Sequence, residues 1–206
     1  MGGQHSPRLR LLRMLCDGEQ REEFRQAEFR VADIMTSRPI TVESSLLLAD
    51  TIKLFSANRV RHILVTALGE LIGVISDRDV LKALWKGRED LRQSVKDIAT
   101  PHPRVAYPGT RVEEVASMML MGHFSAIPVV DYDGRALGIV TSADLVWLLK
   151  LVQLANSKNP EQMRQHLVRE IWRLVDTGEL SEAEGGELKS VVGGGSAASS
   201  QPSPTA

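Results

Sequence analysis

The chain of 206 residues has a single cysteine and few aromatic side chains. Cys16 has no second cysteine with which to form a disulfide, a thiolate metal site or a redox pair. Phe, Trp and Tyr together make up 4% of the residues, so the core has to be built from aliphatic side chains and methionine. A lone thiol fits a reducing compartment, and we expect the protein in the cytoplasm.

Excess charge and long hydrophobic runs are also lacking. Lys and Arg number 25 and Asp and Glu 26, which gives a formal net charge of −1 and no field that would hold a phosphate backbone. The apolar run 145–154 is short and interrupted by Lys150 and Gln153, whereas a membrane helix needs about 20 apolar residues. We therefore expect neither nucleic acid nor a membrane as a partner.

The local motifs of common enzyme classes are missing as well. The sequence has no Gly-x-x-x-x-Gly-Lys phosphate loop, no strand-linked Gly-x-Gly-x-x-Gly and no Gly-x-Ser-x-Gly elbow. Its histidines are scattered without the spacing of metal ligands, at positions His5, His62, His102, His123 and His166. We expect no catalytic site, no metal site and no obligatory cofactor.

An internal repeat is the most informative feature of the sequence. Residues 31–36, VADIMT, match residues 95–100, VKDIAT, and LIGVISDRD around Gly73 matches LGIVTSAD around Gly138. Between the matched segments, each copy has two runs rich in β-branched residues separated by a turn, which is Asp133-Gly134 in the second copy. The chain therefore contains two copies of one supersecondary unit.

Each copy predicts a β-α-β-β-α unit. A short extended segment precedes a helix with apolar residues at three- and four-residue spacing, and a hairpin and a second helix follow. The hairpins are predicted at 63–66 with 71–75 and 127–130 with 136–140, and the closing helices at 79–85 and 143–153. Because one such sheet buries only part of its apolar surface, we expect an α/β (α+β) fold in which the copies pack as a pair.

Composition divides the rest of the chain. We expect a leader that is helical or partly disordered at 1–30, repeats at 31–92 and 93–155, a helical appendage at 156–192 and a disordered tail at 193–206. The appendage carries an apolar stripe in a helix that begins near Pro160, formed by Met163, Leu167, Ile171, Leu174 and Val175. Either the chain itself or another protein must cover this stripe, so the 160–175 helix is a candidate surface for a partner protein.

The repeated signature resembles the tandem CBS-domain module, the pair of domains named after cystathionine beta-synthase. The signature reads Gly-apolar-apolar-Ser/Thr-x-x-Asp and occurs at 73–79 and 138–144, and the resemblance covers 31–153. It implies a pseudo-twofold pair with two clefts for an adenosine-containing ligand such as AMP, ADP, ATP or S-adenosylmethionine. It also implies regulation rather than catalysis, and a homodimer formed through helices.

Asp79 and Asp144 suit the ribose of such a ligand, because a carboxylate can accept hydrogen bonds from two neighbouring hydroxyls. Ser76 and Thr141, three residues earlier, can hydrogen-bond to the sugar or to a phosphate. The resemblance further implies phosphate contacts from Arg61, His62 and Arg78, and largely backbone contacts with adenine from Thr36, Pro39 and Ile40 in the first copy and Thr100, Pro103 and Arg104 in the second.

Two alternatives stay open. Both Ser/Thr-x-x-Asp pairs also have capping-box spacing, which needs no ligand, so a ligand-free dimerisation scaffold competes with a nucleotide sensor that transmits occupancy to a partner. The second copy has Ser125-Ala126 and Ala143 where the first has Arg61-His62 and Arg78. We therefore expect the Asp79 site to prefer a phosphorylated adenosine, and the Asp144 site to be weaker, selective for less charge, or empty.

Overall fold

The computed structural model describes residues 7–85, 91–178 and 180–193, in two compact units. Residues 29–146 form the first, here called the repeat unit, and residues up to 28 together with those from 147 onward form the second, the helical unit. The predicted disordered tail lies outside the described residues except for Gly193.

The elements follow the predicted order in both copies. The helices are α1 (Pro7–Cys16), α2 (Gln20–Gln26), α3 (Val31–Ile34), α4 (Leu48–Asn58), α5 (Asp77–Trp85), α6 (Val112–Gly122), α7 (Ser142–Ala155), α8 (Pro160–Asp176) and α9 (Glu182–Gly193), with a 3-10 helix at Val95–Asp97. The strands are β1 (Thr36–Ser37), β2 (Thr41–Glu43), β3 (His62–Ala67), β4 (Glu70–Ser76), β5 (Thr100–Pro101), β6 (Ala126–Val130) and β7 (Ala136–Thr141).

Two small sheets form the repeat unit, one for each copy. The first has the strand order β2-β3-β4-β5, with β2 parallel to β3 and the predicted β3–β4 hairpin antiparallel. The second has the order β1-β7-β6, and Ala106 makes an isolated parallel bridge to Val129 that corresponds to β2 in the first copy. The predicted mixed fold of two β-α-β-β-α copies is confirmed.

The short strand that precedes each copy joins the sheet of the other copy. In β1, Thr36 pairs with Ile139 and Ser37 with Gly138, whereas β5 pairs with β4 of the first copy. Gly138 permits this approach, because a Cβ there would lie 3.0 Å from the carbonyl oxygen of Thr36 and 2.7 Å from the sulfur of Met35. The two copies are thus interlocked by an exchange of strands.

The core of the first copy is aliphatic, as the scarcity of aromatic residues predicts. Its buried side chains are Val42, Leu48, Ile63, Val65, Ile75, Val80 and Val95. Val95 belongs to the 3-10 helix that leads into the second copy, so the exchange also brings a buried side chain to the first core.

The helical unit has a separate core. Helix α1 contacts α2 and α9, and α9 also contacts α8. The α8 stripe is buried at Met163, Leu167, Ile171 and Leu174. This stripe is therefore covered within the chain, which is one of the two alternatives that the sequence left open.

The boundary between the units falls inside α7, between Val146 and Trp147. The described residues of the leader and of the C-terminal appendage belong to the same unit. Arg25 of α2 donates hydrogen bonds of 2.8 and 2.6 Å to the carbonyl oxygen of Ala155, the last residue of α7. These bonds satisfy a backbone group that a helix end leaves free, and they tie the leader to the C-terminal half of the chain.

Among the described residues, no helix is both long enough and apolar enough to cross a membrane.

Candidate functional site

The two predicted ribose pairs lie at the junctions of a strand and a helix. Ser76 ends β4 and Asp79 lies in the first turn of α5. The backbone N–H of Ser76 donates to Asp79 Oδ2 at 3.0 Å, the hydroxyl of Ser76 donates to the same oxygen at 2.6 Å, and the backbone N–H of Asp79 donates to Ser76 Oγ at 3.3 Å. The capping box that the spacing allows is therefore formed, and it uses only one carboxylate oxygen of Asp79.

The second pair repeats this arrangement with one difference. The hydroxyl of Thr141 donates to Asp144 Oδ2 at 2.8 Å, as Ser76 does to Asp79. The side chain of Asp144 is only 2% exposed, however, whereas Asp79 is half-buried. Of the two carboxylates, Asp79 is thus the more accessible to a ligand.

A cleft of about 280 Å³ opens beside Asp79 within the repeat unit. From the first copy it is lined by His62, Val74, Ser76, Arg78, Asp79 and Lys82, and from the second by Thr100, Pro103, Arg104 and residues 122–127. The cleft therefore combines a predicted ribose pair with all of the adenine positions predicted in the second copy. They meet because β5 pairs with β4 and carries the following segment to the first sheet.

The adenine positions predicted in the first copy are placed differently. Thr36 pairs with Ile139 of β7, the strand that ends at Thr141, so it lies on the sheet of the second copy. Ile40 accepts a hydrogen bond from the N–H of Leu64 through its carbonyl and packs against the core of the first copy. Pro39 lies in the chain between Thr36 and Ile40. Because the strands are exchanged, the first adenine segment lies on the sheet that carries the ribose pair of the second copy, and the second segment lies on the sheet of the first copy.

Backbone strain marks equivalent positions in the two copies. Arg38 has φ of 59° and His102 has φ of 47°, and each precedes the proline of a predicted adenine segment. Residues other than glycine adopt this left-handed conformation at a cost and keep it where the surrounding structure enforces it. The exchanged segments are thus held in a defined shape next to the strands that carry the ribose pairs.

Of the three predicted phosphate residues, two line the cleft. His62 Nε2 and the hydroxyl of Ser125 share a hydrogen bond of 2.9 Å, which joins the entry of one hairpin to that of the other. Arg78 also lines the cleft, whereas Arg61 is not among its lining residues and lies 3.5 Å from Asp77 Oδ2 in an exposed ion pair.

The side chains that line the cleft carry a net positive charge. Among the described lining residues, Arg78, Lys82 and Arg104 carry positive charge and Asp79 is the only carboxylate. Lys82 was missed although its spacing of three residues from Asp79 puts both on one face of α5. His123, another missed residue, lines the cleft from the left-handed end of α6 with φ of 52°.

The imidazole of His62 is held in its neutral form. Burial lowers the pKa of His62, the neighbouring Arg61 lowers it further, and Asp77 and Asp79 oppose the shift only in part. A neutral imidazole can still donate one hydrogen bond and accept another. His62 therefore contributes hydrogen-bonding capacity to the cleft, and the fixed positive charge comes from the arginine and lysine side chains.

Comparison with known proteins places the chain in a family. The family model of the CBS domain matches twice, at residues 31–86 and 95–150. The chain is 32% identical over 116 residues to L-aspartate semialdehyde sulfurtransferase of Methanocaldococcus jannaschii, a match that covers 56% of this chain and 22% of that protein. A second curated relative from that organism, protein MJ1225, is matched over 58% of its length.

Solved structures agree with this result. CBSX2 in complex with AMP is 31% identical, with a TM-score of 0.54, over 61% of this chain and 98% of that one. The CBS domain pair of protein MJ0100, in complex with 5′-methylthioadenosine and S-adenosyl-L-methionine, is 30% identical, with a TM-score of 0.56, over 60% and 98%. Since the family model matches more than half of the residues and does so twice in tandem, this chain belongs to the CBS domain family.

Proposed function

We propose that the protein is a regulatory module that binds a phosphorylated adenosine in the Asp79 cleft and transmits its occupancy to a partner. The observation that carries this proposal is the meeting of Asp79 and Ser76 with three cationic side chains in one cleft. The free oxygen of Asp79 suits the ribose hydroxyls, and the exchanged segment from Thr100 to Arg104 supplies backbone groups for the base. We propose the cytoplasm as its compartment, on the single cysteine.

The ligands of similar proteins support an adenosine group. CBSX2 binds AMP, and the domain pair of MJ0100 binds 5′-methylthioadenosine and S-adenosyl-L-methionine. In this chain the excess of cations over carboxylates in the cleft favours AMP, ADP or ATP, because a phosphate forms charge-assisted hydrogen bonds with Arg and Lys. The sulfonium of S-adenosylmethionine would instead meet like charge.

The Asp144 site is proposed to differ. Ala143 stands where Arg78 stands in the first copy, and Ser125-Ala126 stand where Arg61-His62 do. Together with the burial of Asp144, this supports weaker binding or a ligand of lower charge at the second site.

Titration calorimetry with AMP and adenosine tests the proposal. We expect wild type to bind AMP at least about tenfold more tightly than adenosine, and Arg78→Gln and Lys82→Gln to reduce that ratio while leaving adenosine binding unchanged. Lys53→Gln is the matched control, because Lys53 is an exposed cation of α4 outside the cleft. Equal affinities for AMP and adenosine in wild type would refute the phosphate contacts, and no binding of either would refute the sensor.

The second candidate function is a ligand-free dimerisation scaffold. The capping hydrogen bonds of both Ser/Thr-x-x-Asp pairs favour it, since they account for these residues without a ligand. Large exposed apolar side chains on the helices of the repeat unit also favour association with a second copy, and they include Leu81, Trp85, Leu120, Met121 and Val146. The scaffold requires a homodimer and the sensor is compatible with one, so a dimer alone does not distinguish the two functions, whereas nucleotide binding does.

A further inference from the structure

The helical unit contains a cavity of its own, with a volume of about 250 Å³. It lies where the end of α1, the start of α2, α8 and the end of α9 meet. Its lining residues are Leu15, Cys16, Gly18, Arg21, Pro160, Met163, Arg164, Leu167, Val191 and Val192. None of these residues lines the Asp79 cleft, so this cavity is a distinct candidate site.

The wall of this cavity includes buried apolar side chains. They are those of Leu15, Met163, Leu167 and Val192. Burial raises the pKa of the Cys16 thiol to about 11, against a smaller opposing effect of Arg21. The thiol is therefore uncharged at neutral pH and adds to the apolar wall instead of introducing an anion.

Two arginines give the same cavity a positive charge. The Nε of Arg21 donates to the carbonyl oxygen of Leu15 at 3.3 Å, and its two terminal nitrogens donate to no other described residue. Arg164 lies 4.0 Å from Glu161 Oε2, an exposed contact that is weak at this distance. Among the described residues that line the cavity, none is an aspartate or a glutamate.

We propose that this cavity binds a small amphipathic carboxylate. Its alkyl chain would lie against Leu15, Met163, Leu167 and Val192, and its carboxylate would bind Arg21 and Arg164. Burial of alkyl groups in an apolar wall is favourable, and the guanidinium group binds a carboxylate through two parallel hydrogen bonds. The volume is below the usual range of about 300–1,000 Å³ for drug-sized ligands, so a medium-chain acid fits better than a long-chain one.

Titration calorimetry of the full chain with octanoate, octanol and acetate tests this proposal. Octanoate carries both recognition groups, whereas octanol lacks the charge and acetate lacks the alkyl chain. We expect octanoate to bind at least about tenfold more tightly than either. Binding of octanol as tight as that of octanoate, or no heat from octanoate beyond that from acetate, would overturn the proposal.

Variants on the two arginines locate the site. Arg21→Gln and Arg164→Gln should each weaken octanoate binding about tenfold or more, because each removes a charge-assisted contact. Arg169→Gln is the matched control, since Arg169 is an exposed arginine of α8 that does not line the cavity. If octanoate binds to Arg21→Gln and to Arg164→Gln as tightly as to wild type, its assignment to this cavity is wrong.

The test is independent of nucleotide binding. Asp79→Asn should leave octanoate affinity unchanged, and Arg21→Gln should leave AMP affinity unchanged. A failure of AMP to bind would therefore not affect this inference, and a failure of octanoate to bind would not affect the proposed sensor.

Discussion

The hydrogen bonds of Asp79 do not by themselves identify a ligand site. Ser181 and Glu184 at the start of α9 form the same pattern, in which the serine N–H and hydroxyl donate to one carboxylate oxygen at 2.9 and 2.8 Å. The corresponding distances from Ser76 to Asp79 are 3.0 and 2.6 Å. Only the Asp79 pair lines the cationic cleft, so the surroundings of the cap, and not its geometry, support a ribose contact.

Asp79→Asn separates the two roles of this side chain. The amide oxygen of an asparagine can still accept the hydrogen bond from the N–H of Ser76, so the free energy of unfolding should fall by at most about 1 kcal/mol. The charge-assisted contact with the ribose would be lost, so AMP affinity should fall about ten- to a hundredfold. Titration calorimetry and chemical denaturation measure the two effects.

Glu184→Gln serves as the control for Asp79→Asn, because it changes a matched cap outside the cleft. It should have a comparable effect on stability and none on AMP affinity. If Asp79→Asn binds AMP as tightly as wild type does, Asp79 is only a helix cap.

His62 makes stability depend on pH in a predictable direction. Its pKa is lowered by burial and by Arg61, so between its folded value and the unfolded value of about 6.5 the unfolded chain binds the proton more strongly. The neutral imidazole is thus favourable for folding above about pH 6.5, and this contribution is lost as the pH falls below it. Denaturation of wild type and His62→Gln at several pH values should show a smaller loss on acidification in the variant. Identical pH profiles would contradict the prediction.

The pairing partners of β1 and β5 could not be assigned from the sequence. Hydrophobic periodicity predicts the hairpins, since both strands of each are long and rich in β-branched residues. A strand of two residues carries no comparable pattern, and because the copies are alike, either sheet could accept it. Which ribose pair each adenine segment would meet was consequently not predicted. At Gly73 and Gly138 the absence of a side chain lets the exchanged strand approach closely.

Gly138→Ala tests whether the exchange stabilises the repeat unit. The new Cβ would lie 3.0 Å from the backbone oxygen of Thr36, which cannot move without disturbing β1. We expect a loss of about 1–3 kcal/mol in the free energy of unfolding, measured by chemical denaturation.

Gly109→Ala is the matched control for this substitution. It lies in the repeat unit, and a Cβ there meets nothing within 4 Å. Equal stability of the two alanine variants would mean that β1 can detach from β7 without cost.

At the scale of the whole molecule, the internal repeat made most of the repeat unit predictable from the sequence, whereas the packing of the helical unit was not predicted. The two copies confirm each other position by position, so the hairpins and helices of the repeat unit follow from the sequence, whereas the exchange of β1 and β5 does not. The leader has no second copy with which it can be compared. Its arginines lie among the leucines of an apolar face that includes Leu9, Leu12 and Leu15, all buried, so the sequence did not predict that this face is buried. The stripe of α8 predicted a covering surface without identifying it, because only the folded chain brings its two ends together.

Exposed apolar side chains on α6 favour self-association of the repeat unit. Leu120 and Met121 on α6 are 76% and 80% exposed, and two adjacent apolar side chains on a helix surface favour burial against a second chain. We expect light scattering to give twice the chain mass of 22.7 kDa for wild type and a mass near that of one chain for Leu120→Lys. Leu68→Lys, at the fully exposed β3–β4 turn, should remain dimeric. A monomeric wild type would exclude the scaffold function and leave nucleotide binding as the role of the repeat unit, since a ligand can act through its differential affinity for two arrangements of the copies within one chain.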